Sequence, residues 1–509
     1  MEQWAGRYPG LVDVWPLTAA QSEVLAHSEL PASLTGPVAD SAYDTGQFQV
    51  VAHLNGQINS ARLRQAAQDL VDRHPNLRTA VVPALGGGRR QVVVPHAQLP
   101  WRDVDFSEIN IGDRGAALDR LLAEDAAHRF DVAAPPLLRM TLVRTSVERC
   151  DLVVTAHHAL LDGESVRPLL SDLLRLYDAG DDAGSLPAPR SGHRDVLTWL
   201  AGQDRDKAAR VWADELEGID GPTLLAPVAG RRTRRPVPVP AAEAGAGHPG
   251  FGQSEVRLSA RERRQLSRCA AGLDVGVDTL VQGAWAIVLA GLTGRQDLLF
   301  GVTHAGRPEA LTDGDALIGP FGGTTPLRLR CAPEDTAAQL LARLRDSRAA
   351  LADHQHVATG LLQLAEVEGM FDTSVAYDAY PVGALTPAAL GISSRIGVTG
   401  MRSHAGTPYA LTVVAHDRPA LHLSLCFQRH LFDQDAADAV ALRLAGVLRR
   451  IAAEPSLLVG ELSSLDGTEE VEGAAAVVVE GAVESAVVHY PFERRGVAAV
   501  PVPSGSRAA

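Results

Sequence analysis

One stretch, Asp151 to Tyr177, constrains this chain more than any other. Leu152, Val153 and Val154 read as a buried strand. The strand runs into His157-His158-Ala159-Leu160-Leu161-Asp162-Gly163. Beyond Ser165, which reads as an N-cap, apolar residues fall at Val166, Leu169, Leu170, Leu173 and Leu174. That spacing is a helix packed on one face. The histidines therefore stand where a rigid strand ends and a loop turns into a helix, a place that holds a side chain at fixed geometry. A neutral imidazole there can take a proton from an incoming amine or hydroxyl. Asp162 follows in a tight turn, and Gly163 permits a close backbone approach. On spacing alone, the ordinary reading of such a pair is a solvated or structurally satisfied one. Neighbouring strand residues point to opposite faces and no HExxH accompanies them, so no metal site is expected.

The 509 residues hold two to four domains' worth of mass, and 46% apolar with 21% charged residues supply an ample core. A formal charge of −14 argues against a nucleic-acid binder. Cys150, Cys269, Cys331 and Cys426 lack metal-ligand or CxxC spacing, which fits a reducing compartment. The N-terminus shows no secretory pattern, and the most apolar helix, Val281 to Leu292, is too short to span a bilayer. These features predict a cytoplasmic protein with no membrane association.

Residues 47–54 read as a strand, followed by a helix capped at Asn59 or Ser60 with Leu63, Ala66, Ala67, Leu70 and Val71 on one face. Pro75 stops that helix and Arg78 opens a returning strand through Val82, where a surface charge is the ordinary reading of the arginine. Strand Met140 to Arg144 leads into the histidine strand. Residues 219–253 carry Pro, Gly, Ala and a basic cluster at Arg231 to Arg235 without any period, and read as a linker. The GxGxxG match at Gly245 to Gly250 lies inside that linker, follows no strand and contains a proline, which excludes a dinucleotide site. The second half has long helices near 277–291, 335–352 and 436–452, separated by short strands, and so predicts α/β layers. Gly319 to Pro326 is too rich in glycine for a regular element. Residues 466–509 are of low complexity, with one strand possible at Ala475 to Val479. The division expected is 1–180, a connecting helix and linker at 181–253, 254–465, and the tail 466–509.

These residues together resemble the condensation domains of nonribosomal peptide synthetases, in the chloramphenicol-acetyltransferase-like superfamily. His157 to Gly163 is similar to the HHxxxDG signature, extended by Ser165. Leu17 to Gln21 resembles the opening motif, Arg73 to Thr79 the RHxxLRT motif, and Phe130 to Arg139 the FDxxxxPLLR stretch. Gly301 to Pro308 and Ile318 to Arg328 resemble the GVTxxGRP and GxFxNTxPxR segments. Asp353 to His356, Phe371 to Thr373 and Tyr380-Pro381 resemble the late segments. They come in family order from about residue 11 to 465, which is far more specific than HHxxxDG alone.

The resemblance implies an α/β fold of two similar halves arranged as a V around a central tunnel, acting as a monomer. It implies that His158 assists attack of an acceptor nucleophile on a donor thioester, with Asp162 and Gly163 completing the catalytic set. Asp162 is expected to pair with Arg78, and His157 to give structural support. Ser165, Gly323 and Thr324 are expected along the tunnel. No cofactor of its own is implied. The substrates arrive on phosphopantetheine arms of donor and acceptor peptidyl carrier proteins. Gly323 replaces the asparagine of the FxNT segment and Glu164 stands where tryptophan is frequent, so the substrate class stays open, as does amide versus ester. The vicinity of Ser165 resembles the subclass taking a D-configured donor. No carrier or adenylation motif is present, so a free-standing enzyme, or one excised from a larger synthetase, is expected. Two other readings are an acyltransferase using acyl-coenzyme A and an inactive module that recruits carriers or partner enzymes.

Overall fold

The computed structural model describes residues 2–28, 46–226, 251–356, 369–377, 396–405, 407–417 and 420–464. Tyr380-Pro381, the basic cluster at Arg231 to Arg235 and the tail from 466 lie outside the described residues. In chain order the strands are β1 (Asp13–Pro16), β2 (Gln47–Asn55), β3 (Thr79–Pro83), β4 (Arg89–Val93), β5 (Trp101–Asp105), β6 (Leu138–Ser146), β7 (Arg149–His157), β8 (Phe251–Leu258), β9 (Asp297–His304), β10 (Gly323–Arg330), β11 (Thr373–Tyr377), β12 (Gly397–Ala405), β13 (Leu411–His416) and β14 (Leu421–Gln428). The helices are α1 (Glu2–Ala5), α2 (Ala19–Ser28), α3 (Ser60–Arg73), α4 (Arg114–Ala126), α5 (Val166–Ala179), α6 (His193–Ala201), α7 (Arg205–Leu216), α8 (Ala260–Gly272), α9 (Val277–Thr293), α10 (Ala337–Leu351), α11 (Gln434–Ala453) and α12 (Val459–Ser463).

The first half is a five-stranded sheet in the order β12-β2-β7-β6-β5, with a small sheet β1-β4-β3 beside it. Along β7, Leu152, Val154 and Ala156 alternate with Val153, and the first set enters the main core of this half. The other face meets Leu118, Leu121 and Leu122 of α4 through Val153. Asn59 caps α3 by accepting the Arg62 N–H at 3.0 Å. The apolar stripe of α3 then packs on that of α5, burying Leu63, Ala67 and Leu70 together with Leu169, Leu170 and Leu173. Burial of such side chains is worth about 1.5–3 kcal/mol each, which fixes the helix that follows the histidines.

The second half is a six-stranded mixed sheet, β10-β9-β11-β13-β14-β8, covered by α9 and α11. Helix α9 is buried from Thr279 to Leu289, which explains why its sequence is apolar all round. It stays close to α10 because a Cβ at Gly283 would lie 2.6 Å from a Leu341 methyl. The expectation that Gly319 to Pro326 forms no regular element fails for its second part, since β10 pairs Gly323 to Arg330 against β9. The alternation Thr325, Leu327, Leu329 buries one face and outweighs the glycine content.

The halves are not separable along the chain. Strand β12 belongs by sequence to the second half but pairs antiparallel with β2 of the first, from Gly397 opposite Asn55 to Ala405 opposite Phe48. In return, Ile318 of the second half is buried in the core of the first. No single described helix is long and apolar enough to cross a membrane.

Candidate active site

Strand β7 delivers the two histidines to opposite sides, as the period of two requires. His157, 1% exposed, points into the first half, where its Nδ1 accepts the Ala159 N–H at 3.0 Å and its ring meets Phe130 edge-on at 6.4 Å. Phe130 is in turn covered by the Arg139 guanidinium at 4.4 Å, and Arg139 pairs with Asp125 at 2.7 Å. The FDxxxxPLLR residues thus build the wall behind His157. His158 is half-buried, with its ring 4.6 Å from that of Phe48 and its backbone N–H donated to Gly46 O at 2.6 Å. Gly46 and Phe48 flank the first residue of β2, so the His158 backbone is held by the sheet itself.

Asp162 is the most heavily bonded side chain of the site. Its Oδ1 accepts from Ser165 N at 2.9 Å, Ser165 Oγ at 2.8 Å and Arg307 Nη2 at 2.8 Å. Its Oδ2 accepts from Arg307 Nη1 at 3.0 Å, Phe321 N at 3.0 Å and Gly322 N at 2.8 Å. Burial pushes this carboxyl up, but the Arg307 charge and the hydrogen bonds from Arg307, Gly322 and Ser165 outweigh it, holding Asp162 below the usual carboxylate range. Asp162 is therefore an ionised anchor, with both oxygens committed to holding structure rather than to acid–base work.

Arg78, the expected partner of this carboxylate, lies elsewhere, and the pairing is corrected. Arg78 ends a 3₁₀ turn (Pro75–Arg78) and donates to Val71 O at 3.2 Å, Val94 O at 2.9 Å and Pro95 O at 2.5 Å. The guanidinium closes the end of α3 against the β4 edge. Arg307 takes the carboxylate instead, in a bidentate pair whose side chains are 7% and 14% exposed. The Arg307 guanidinium also reaches Ala305 O at 2.9 Å and Leu317 O at 3.3 Å. The RHxxLRT motif still touches this region, through Asn76, whose amide donates to Ile318 O at 2.9 Å.

Ser165 holds the N-cap position that the helical pattern suggests, its carbonyl accepting the Leu169 N–H at 3.0 Å, but its side chain does not cap. Its backbone is already helical and its hydroxyl makes no cap bond. The fully buried hydroxyl serves Asp162 and Gly319 O, and accepts from Gly319 N at 2.9 Å and Arg307 Nη2 at 3.0 Å. Gly163 is buried within the same turn, where its carbonyl accepts the Val166 N–H at 3.2 Å.

The loop from Leu317 to Gly322 is thus a latch from the second half bonded into the first. Gly306, at φ +61°, permits it, because a Cβ there would fall 1.8 Å from Phe321 O. His193 at the start of α6 completes the latch. Its ring stacks between Trp15 and Phe321, 5.3 Å from each, and burial pushes its pKa down to about 4. The roles of Arg307, Phe321, Asn76 and His193 escaped the sequence reading. The first three lay within the segments Gly301 to Pro308, Ile318 to Arg328 and Arg73 to Thr79, and His193 lay in none.

Gly323 and Thr324 open β10, opposite His304 and Thr303. Thr324 Oγ1 lies 3.5 Å from Thr303 Oγ1 and hydrogen-bonds Tyr409. Two of the late segments, Asp353 to His356 and Phe371 to Thr373, make structural bonds. Trp212 donates to His354 O at 2.9 Å, and the Asp372 carboxylate accepts from Leu225 N and Ala226 N, both at 2.8 Å. Among the described residues no group of three His, Cys, Asp or Glu side chains could hold a metal ion.

Set beside known proteins, this chain has many relatives in sequence and in fold. The family model for the Condensation domain matches residues 12–472. A linear gramicidin synthase of Brevibacillus parabrevis is 28% identical over 480 residues, 92% of this chain but 9% of that protein. The chain thus spans less than a tenth of the length of this curated relative. The condensation domain from the monacolin K polyketide synthase MokA superposes with a TM-score of 0.70 at 18% identity, covering 88% of this chain and 100% of that one. The X-domain from teicoplanin biosynthesis gives a TM-score of 0.68 at 22% identity, covering 88% and 97%. These likenesses carry the fold, which is that of the chloramphenicol-acetyltransferase-like condensation domains.

Proposed function

As the chain belongs to the condensation-domain family, we propose that it joins a donor acyl or aminoacyl thioester to an acceptor nucleophile, forming an amide or ester bond in natural-product biosynthesis. The donor and acceptor arrive on carrier proteins through phosphopantetheine arms, in the cytoplasm, and enter the seam between the halves from opposite sides. The chain brings no cofactor of its own to the reaction.

The observation that supports this reading is the position of His158. It stands at the end of β7 with a half-buried ring, beside a loop that Asp162 fastens to Arg307, Phe321 and Gly322 of the other half. When the acceptor nitrogen or oxygen attacks the thioester carbonyl, His158 takes its proton. The C–S bond then breaks and the proton passes to the leaving sulfur. Thioester aminolysis is downhill, so placement of two tethered substrates supplies most of the acceleration. Asp162 holds the geometry and Gly163 completes the turn, while His157 orders the strand end. Ser165 acts within the latch, and Gly323 and Thr324 line the approach from the second half.

The test is single-turnover transfer from a loaded donor carrier to an acceptor. His158→Ala is expected to keep the wild-type fold and carrier binding while losing about 10²–10⁴-fold in rate near neutral pH. Wild-type rates in His158→Ala refute the proton-transfer role. Carrier binding without transfer by the intact protein supports a recruiting module instead, and transfer from acyl-coenzyme A but not from carriers supports a small-molecule acyltransferase.

A further inference from the structure

Two buried amides face each other behind the loop that follows β7. Thr18 and Gln21 form a capping box at the start of α2, with Gln21 N donating to Thr18 Oγ1 at 3.1 Å and Thr18 N to Gln21 Oε1 at 2.9 Å. The box uses only the oxygen of the Gln21 amide and leaves its nitrogen for other partners. Gln21 Nε2 donates to Gln91 Oε1 of β4 at 2.9 Å, and Gln91 Nε2 returns a bond to Gln21 Oε1 at 2.9 Å. The second hydrogens go to backbone carbonyls, from Gln21 to Ala159 O and from Gln91 to Pro16 O, both at 2.8 Å. Both side chains are 1% exposed. Turning either amide over would set nitrogen against the Thr18 N–H or oxygen against a carbonyl, so the array holds one orientation.

Ala159 is the residue after His158, and this array grips it. Its carbonyl takes the Gln21 hydrogen, its N–H goes to His157 Nδ1 at 3.0 Å, and its methyl packs with Leu25 of α2 and Val81 of β3. Before His158 the sheet does the same, through the His158 N–H on Gly46 O at 2.6 Å. The imidazole therefore hangs from a backbone pinned on both sides. The grip after His158 is also tied to the latch. His193, stacked on Phe321 at 5.3 Å, sets its Nε2 3.3 Å from Gln91 Nε2. That amide nitrogen is a donor, so the imidazole nitrogen facing it carries no hydrogen. Phe321, His193, Gln91 and Gln21 thus form a line of contacts from the second half to the Ala159 carbonyl, made of side chains other than Asp162.

We infer that Gln21 is a positioning residue for His158, holding the peptide after it where the imidazole can meet the attacking nucleophile. The inference rests on the condensation reading above and adds to it a residue that acts through another. Gln91 works one step further back, by keeping the Gln21 nitrogen turned toward the Ala159 carbonyl. The physical reason is the cost of a buried carbonyl without a donor. With Gln21 in place, the Ala159 peptide has one satisfied orientation. Without that hydrogen, the carbonyl regains a donor only by turning elsewhere, and the backbone that carries His158 turns with it. A base must lie within hydrogen-bond reach of the proton it takes, and a displacement of about 1 Å costs about 10²-fold in rate. Gln21 therefore acts on the proton-transfer step alone, and with His158 absent it has nothing left to position.

The test measures single-turnover transfer at saturating carriers for Gln21→Met and Gln21→Glu, each with His158 present and in the His158→Ala background. Gln21→Met removes every bond of the amide. Gln21→Glu keeps an oxygen for the Thr18 N–H and Gln91 Nε2 and gives up the hydrogen for Ala159 O, so it preserves the helix cap. Both variants are expected to slow transfer by about 10- to 100-fold with His158 present and to leave the affinity for each carrier unchanged. Neither is expected to add any loss once His158 is alanine. Hydrogen exchange across residues 157–165 is expected to speed up in both variants, with exchange in the second sheet unaltered. An amide that only stabilises the core predicts equal losses in the two backgrounds, and that result overturns the inference. Wild-type rates in both variants overturn it too, as does unchanged exchange across residues 157–165. If the intact protein transfers nothing from any loaded pair, the condensation reading fails and exchange alone decides. A loosened loop then upholds Gln21 as the anchor of His158, and an unaltered one overturns it.

Discussion

Removing Arg307 tests the architecture of the seam directly. In Arg307→Ala the Asp162 carboxylate loses the ion pair and both guanidinium hydrogen bonds, and it keeps Ser165 N, Ser165 Oγ, Phe321 N and Gly322 N. Stranding one member of a buried pair costs about 3–5 kcal/mol. The surviving donors still solvate the anion, which places the expected loss near the lower end, about 3 kcal/mol. Spread over a half of this size, each kcal/mol moves the melting temperature by about 2–4 °C, so a fall of about 6–12 °C is expected. Asp162→Ala strands the guanidinium with carbonyl partners, and the double variant recovers part of the loss. A cycle of the two singles and the double in urea is expected to show coupling of at least about 1 kcal/mol. The pH sign follows from the depressed carboxyl. Its contribution is fully present above the ordinary carboxylate pKa of about 4 and is lost as pH falls through the native value, so the gap between wild type and Arg307→Ala narrows in strong acid. Coupling of Asp162 to Arg78, with none to Arg307, refutes the arrangement.

Other substitutions separate structure from chemistry. His157→Ala removes the acceptor for Ala159 N–H and the edge contact to Phe130, so it is expected to lower the melting temperature, unlike His158→Ala. His193 and His304 are held neutral with pKa values of about 4. A histidine whose native pKa lies below its unfolded value of about 6.5 destabilises the fold as pH drops between the two, by up to about 2 kcal/mol per group at pH 5. His193→Phe is expected to lessen the loss of melting temperature between pH 7 and pH 5, and an unchanged slope counts against it. Cutting the chain after Ser464 keeps Val459 and Leu462, both buried in the second core, so thermal stability is expected to match the full chain. A loss of soluble protein on truncation contradicts that.

How far the sequence could be read depended on the range of the forces involved. The helix after the histidines was legible because its stripe is local, and so were the α3 stripe and the apolar helix α9. Bonds between groups far apart in the chain carry no period. Arg78 and Arg307 are both arginines in family-like motifs, and only the path of the latch decides which one reaches Asp162. Ser165 misled for a related reason. A serine at the N-cap accepts a helix N–H through its hydroxyl by local logic, but Gly319, 154 residues away, competes for that hydroxyl and wins. Strand β12 was hidden because its pairing partner, β2, lies more than 300 residues earlier.

The same long-range bonds explain why a carboxylate held ionised is built next to the histidine proposed as the base. An imidazole acts as a base only if its loop does not drift, and a loop between a strand and a helix drifts unless its backbone donors are tied. Asp162 ties Ser165 within its own turn and Phe321 and Gly322 across the seam, so moving the two halves apart means breaking charged hydrogen bonds in a buried place. The spacing between the His158 loop and the β10 face therefore leans on this side chain, together with the Ser165 and Asn76 bonds to the latch. Widening that gap without touching His158 follows from Asp162→Asn, which keeps the shape but gives up the charge and turns one acceptor oxygen into a donor facing Arg307 or the latch amides. If position rather than proton transfer supplies most of the rate, this variant is expected to lose activity with any acceptor, alcohol or amine, and to keep the pH dependence of what remains. Loss confined to one pH limb would instead assign Asp162 a titrating role, against the bonded geometry of its two oxygens.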